Sequence, residues 1–439
     1  MSLLAETIYI ATPTVTGAVT YTTAFQGVAF KAMSVGMPAA TSPGFDLDFR
    51  AFLGFAEGAT SAFCVSAASQ DNVATSNTSS RIAAVFISQV RWGELLVLEG
   101  RLTAVTATSF TITWDTVPAN AQSLHVLVLG GDEIEGVIVS TFATAVVAGN
   151  QIIVAVPPPP GDPFRTHLVL FAGANNTAIP QSATGADLLL GAAGVGDDSG
   201  QWATCMFSQD AQADMDTQRY QTSADVILRV AANLTLTYQA RRSAMTGLSI
   251  EWITAPASAR YIGYMMLQLA PEATQVDGQS KIRVGVSPKP TGAAPASHPV
   301  SGLPHWPVAL LLASNQLTAG AGGNAHARLG FGQASREGSA NSLVAGAVAF
   351  SDTNALATSS VDALDEEAAS QYAFTKVDNN TATRNARATI AAMNVGAFEL
   401  SWTTNDFVAT EICYVSIGPQ TSAGLVDNAR VAGLARLVN

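Results

Sequence analysis

Positive charge is scarce in this chain. Lys and Arg together number 21 against 33 acids, the net charge is −12, and no run of basic residues occurs. A groove for DNA or RNA needs clustered cations to displace counterions from phosphate, so direct nucleic-acid binding is excluded as an expectation. Cysteine is nearly absent too. Cys64, Cys205 and Cys413 are an odd number with no C-x-x-C pair, which argues against a disulfide framework and for small reduced core residues. No apolar run approaches the roughly 18 residues that would span a bilayer. The first residues, SLLAETIYIA, lack a basic region and carry Glu6, so no signal peptide is expected.

Recognisable catalytic patterns are also missing. There is no G-x-S-x-G elbow, phosphate loop, G-x-G-x-x-G or H-E-x-x-H. Of the five histidines only His298 and His305 lie close together, in a proline-rich stretch read as a solvated loop rather than a metal site. The acidic pieces DEIE (132–135) and DALDEE (362–367) lack calcium-loop spacing. No cofactor, metal or enzymatic activity is expected.

What the chain does have is 48% hydrophobic residues with only 12% charged, enough to bury large cores. It also repeats itself. SFTITWDTVPANA, GLSIEWITAPASA and AFELSWTTNDFVA each alternate apolar and polar residues up to a tryptophan, the signature of a strand with one buried face. Trp114, Trp252 and Trp402 follow one another at 138 and 150 residues, the spacing of whole domains. Thirteen residues after each comes a second apolar strand, around Leu127, Met265 and Val415. LGF, LGA and LGF at Leu53, Leu190 and Leu329 keep the same phase, as do SQD, SQD and FSD ending at Asp71, Asp210 and Asp352. So do the glycines Gly17, Gly149 and, loosely, Gly278.

Helical periodicity is rare, and short strands between Gly, Pro, Asn and Ser turns dominate. The expected fold is all-β, with three tandem jelly-roll-like β-sandwich units of about eight strands arising from an internal triplication. The units are 1–131, 132–269 and 270–418, with joints near 131–136 and 269–276. Residues 419–439 form a tail or a docking segment for a neighbouring subunit. Opening strands are read in VTYTTAF, IIVAV and KIRVGV. The proline-rich stretches 156–163 and 287–307 are read as surface loops, and 361–369 as a short helical turn.

Trp114, Trp252 and Trp402 are expected to be core anchors, one per sandwich. Asp71, Asp210 and Asp352 are read first as caps of turns, and they stand beside Trp306 and His305 as candidate partner or ligand contacts, to sugar or calcium. Of the tryptophans outside the repeat, whichever is exposed is the better candidate for a partner or ligand, and Trp306 with His305 stands first.

The glycine followed by a Q-x-V-x-V-like strand (GNQIIVAV), GFAEGAT, SQDNVATSNTSSR and FTITWDTVPANA resemble repeat-built structural proteins of tailed bacteriophage and phage-like virions. The resemblance covers most of the first two units and weakens in the third. It implies a non-enzymatic surface component of a particle, a head decoration or tail protein, whose partners are copies of itself and other virion proteins. The alternative is a carbohydrate-binding adhesin that meets host glycan through loops of the second and third units.

Overall fold

The alternation of β-branched and aromatic residues with Thr and Ser becomes, among the described residues of the computed structural model, 33 strands, eleven in each third of the chain. The structure describes residues 3–36, 44–154, 166–194, 200–244, 248–270, 281–318, 322–337, 342–366, 371–378 and 383–419. Among these there is no α-helix, and none long and apolar enough to cross a membrane.

The strands form three seven-stranded and three four-stranded antiparallel sheets. Each large sheet takes six strands from its own third. In the first third these lie in the order Leu4–Ala11, Ser123–Gly130, Gly27–Ser34, Phe49–Glu57, Ser61–Ser69 and Thr78–Ala83. The Trp114 strand, Ser109–Thr116, sits in the four-stranded sheet between Gly17–Thr22 and Leu95–Thr106. The same order recurs in the other two thirds.

The seventh strand of every large sheet comes from another third. Gln181–Thr184 pairs with Thr78–Ala83, Gly323–Ala325 with Thr217–Thr222, and Gly44–Asp46 with Val361–Asp365. The middle third thus completes the first, the last completes the middle, and the first completes the last. This cyclic exchange closes the three sandwiches into a ring within one chain.

Each large sheet is consequently buried on both faces. One face packs on its own four-stranded sheet, giving three separate cores that hold Trp114, Trp252 and Trp402. These tryptophans are buried, and burying a large apolar side chain contributes about 1.5–3 kcal/mol. The other face of all three sheets joins one central core around the ring axis. A glycine fixes the crossing of the two sheets in each sandwich. A Cβ on Gly54, Gly191 or Gly332 would lie 1.8 Å from the carbonyl oxygen of Phe86, Val226 or Ala373.

These glycines correct the phase expected for the last third. The counterpart of Leu53 and Leu190 is Phe331, opposite Val348, and not Leu329. A slip of two residues keeps every side chain on its own face, so alternation cannot reveal it. Three further expectations fail. IRVGVSP (Ile282–Pro288) lies at the edge of the large sheet, like Leu4–Ala11, so KIRVGV is not equivalent to VTYTTAF. The equivalent is Ala296–Ser301, inside the stretch read as a proline-rich loop. It is an edge strand, where Pro299 costs no ladder hydrogen bond. Val361–Asp365 is likewise a strand and not a helical turn, because it pairs with Ser342–Asp352. The stretch 156–163, Gly278, most of the 269–276 joint and the tail from 420 lie outside the described residues.

Candidate functional site

The three repeated acids lead to the ring axis. Asp71 Oδ1 accepts the backbone N–H of Val361 (2.8 Å) and Asp210 Oδ1 that of Thr78 (2.7 Å). Each caps the start of a strand in another third, so these are caps between sandwiches rather than within one turn. The third member of this set is Asn354, whose Oδ1 accepts Thr217 N–H at 2.7 Å. Asp352 stands two residues earlier and is the counterpart of Ser69 and Ser208. Both serine hydroxyls donate to Asp352 Oδ2, at 2.8 and 2.7 Å. One residue from each third therefore meets in a buried Ser, Ser, Asp cluster. Burial pushes the Asp352 carboxyl up to about 6, against the two donated hydrogen bonds.

Beyond the acids the chain turns sharply. Asn72, Ala211 and Ala355 adopt φ of 54°, 56° and 58° and donate to the carbonyls of Ser359, Ser76 and Met215 in the adjoining third. Two of the three are not glycine or asparagine, which is uncommon in this region and is held by the interlock.

The junctions between sandwiches use equivalent positions with unlike chemistry. Where the middle third packs on the first, Phe63 fills the space over Gly263, whose Cβ would be 2.2 Å from the ring. Where the last third packs on the middle, Trp202 Nε1 donates to the Tyr414 carbonyl at 3.1 Å, and Lys281 Nζ lies 3.0 Å from Glu133 Oε2. Where the first third closes on the last, the small residue is Gly346 and the large one is His125. His125 Nε2 is 2.6 Å from Asp365 Oδ1, both fully buried.

At the same closing junction Lys31 Nζ reaches Gln333 Oε1 at 3.0 Å. Its counterparts are Leu170 and Leu311. Burial alone pushes the Lys31 amine down to about 7. Ser335 Oγ donates to Thr7 Oγ1, and Glu337 Oε1 accepts Thr7 N–H.

Of the other candidates, Trp252 donates to Gln151 (2.7 Å) and Trp402 to His298 Nδ1 (3.4 Å). Accepting from the indole leaves His298 Nε2–H to donate to Ser287 Oγ, and burial with the nearby Lys289 charge lowers the imidazole to about 4. His305 is fully buried with Nε2 on Ser416 Oγ, so it is not a surface contact as expected. Burial raises all three cysteine thiols. Trp306 is 37% exposed and lies beside a cleft, with the Arg336 guanidinium 3.7 Å from its ring centroid.

Sequence reading gave no role to Ser69 and Ser208, which open the SQD landmarks, or to Asp365 within DALDEE, and it missed Asn354, Lys31 and Arg336. Lys31 carried a signal, a lone cation inside the apolar run VAFKAMSV. The others acquire meaning only from what they meet across a junction.

No protein-family model, curated protein or solved structure matches this chain.

Proposed function

We propose that the chain is a non-enzymatic structural component of a phage-like particle surface, a head decoration or tail protein, built by internal triplication of a jelly-roll-like sandwich. The observation that carries this reading is the cyclic exchange of strands, which gives one chain the layout of a closed trimer. Such a body suits a threefold or quasi-threefold position on a lattice, where three similar faces are wanted and dissociation into separate subunits is not. The repeated acids and His125 are engaged in holding thirds together: Asp71 and Asp210 on backbone N–H groups, Asp352 on two serines, and His125 on Asp365. Partners on this reading are other particle proteins and copies of the chain.

Electron microscopy of intact particles tests it. The expected result is density for one three-lobed body per lattice point or tail position, at fixed stoichiometry. Absence of the chain from purified particles would overturn it.

A further inference from the structure

The threefold likeness of the ring is a built-in control. A residue that the scaffold needs should have workable counterparts, and one that is exposed and has none performs some other task. Compared with the first third, Trp306, which is exposed, and Arg336, which is half-buried, are such a pair. Their counterparts at the junction of the first and middle thirds are Gln26 and Gly58, because Val28 matches Val308 and Glu57 matches Ser335. That junction folds with neither an indole nor a guanidinium.

At the closing junction the pair borders a cleft of about 420 Å³, walled by Leu4, Phe25 and Val308 and flanked by Glu6 and Glu337. The indole is anchored by its Nε1–H on the Met393 carbonyl at 2.8 Å. Arg336 lies over the ring and donates to the Pro307 carbonyl at 2.8 Å. No carboxylate pairs with this guanidinium among the described residues. Burial without a counter-charge pushes it down to about 10. Each neighbouring acid has one oxygen on a backbone N–H: Glu6 Oε2 on Ala24 and Glu337 Oε1 on Thr7.

The cleft therefore offers an anchored aromatic edge, a planar donor fork with free N–H groups, and carboxylates that accept hydrogen bonds. A fatty chain would leave the fork and the acids desolvated and unpaired. A polyanion would meet Glu6 and Glu337 and a chain of net charge −12. A ring with an apolar face and a rim of hydroxyls, each both donor and acceptor, matches all three features.

We infer that the cleft bordered by Trp306 and Arg336 binds a hexopyranose, one sugar unit of a surface glycan. The site lies at the closing junction but does not rest on the particle role, so failure of either reading leaves the other standing. This puts the sugar contact at the far end of the 287–307 stretch, whose Ala296–Ser301 segment is a strand of the sandwich.

Saturation-transfer NMR and calorimetry on the full chain test the site, with glucose, galactose, mannose, N-acetylglucosamine and glucuronate as probes and the open-chain polyol sorbitol as control. The expected result is millimolar binding of at least one ring sugar and none of sorbitol. Arg336→Gln should weaken binding by about tenfold or more, since it removes hydrogen bonds from a charged donor. Trp306→Phe, which keeps an aromatic ring, should weaken it less than Trp306→Ala. Unchanged thermal unfolding of Arg336→Gln shows that the loss is local; if that variant unfolds, Arg336→Lys, which keeps the charge but loses the fork, takes its place. No binding by any ring sugar into the tens of millimolar, equal binding of sorbitol, or binding indifferent to both positions would overturn the proposal.

Discussion

The junction of the first and middle thirds and the junction where the first third closes on the last are built on the same strands at the same registers. The first presents Phe55, Phe63, Val65 and Ile82 to the middle third, all within buried apolar clusters. The second puts Gln333, Gly346, Val348 and Asp365 at those places, opposite Lys31, Thr7 and His125. Burial is nearly complete at both, so burial does not dictate the chemistry. The apolar junction joins sandwiches that are also consecutive along the chain. The polar one is made by segments more than 200 residues apart, and it has groups that are satisfied only when the correct faces meet.

The largest expected effect comes from breaking either junction in its own currency of interaction. Phe63→Ala opens a cavity over Gly263 and should cost about 3–5 kcal/mol. Asp365→Ala leaves the buried His125 Nε2 without its partner and should cost about 3–5 kcal/mol as well. Urea unfolding of both variants checks this, and the Phe63→Ala loss should be the same at acid and alkaline pH because no titrating group is involved.

A smaller effect of opposite sign is expected from giving the closing junction the apolar pattern found between the other two thirds. Lys31→Leu with Gln333→Ala copies Leu311 and Ala192 and should stabilise the fold by about 1–4 kcal/mol. It should also flatten a pH dependence. Lys31 titrates near 7 in the fold against an ordinary value of 10.5. Between those values the unfolded chain holds a proton that the folded chain does not, so stability of the parent rises with pH across that window. Below about 7 the cost of the buried cation is complete.

The smallest effect belongs to the axis. Asp352→Ser copies Ser69 and Ser208. The folded carboxyl titrates near 6 against an ordinary 3.8, so between those values the folded chain holds the extra proton and stability falls as pH rises. Above about 6 the cost is complete, and the serine variant should be more stable there by about 1–3 kcal/mol. Thermal melts at pH 4 and 7 should show a gap between the two proteins that closes at the acid end; a constant gap would refute the assignment.

Much of the fold was legible in the sequence. Long alternating strands that end at Trp114, Trp252 and Trp402 declared their buried faces, because period-two burial is written locally. The donated strands were not legible: Gly44–Asp46, Gln181–Thr184 and Gly323–Ala325 are too short to carry a pattern, and their partners lie in another third. The Ala296–Ser301 strand was hidden because proline there looked like a loop signal, whereas an edge position tolerates it. Trp306 stands partly exposed, but His305 beside it is buried, since one residue along a chain reverses which way a side chain faces.

By itself the sequence determined that this protein is all-β, low in positive charge, and written in three related passages, since composition and alternation are properties of the chain alone. Only the tertiary structure decided that the passages close into a ring, that Asn354 and not Asp352 completes the set of caps, and that Lys31 and His125 mark the closing seam. Those outcomes depend on which distant strands share hydrogen bonds and on a register slip of two that leaves the buried pattern unchanged, and no local pattern encodes either.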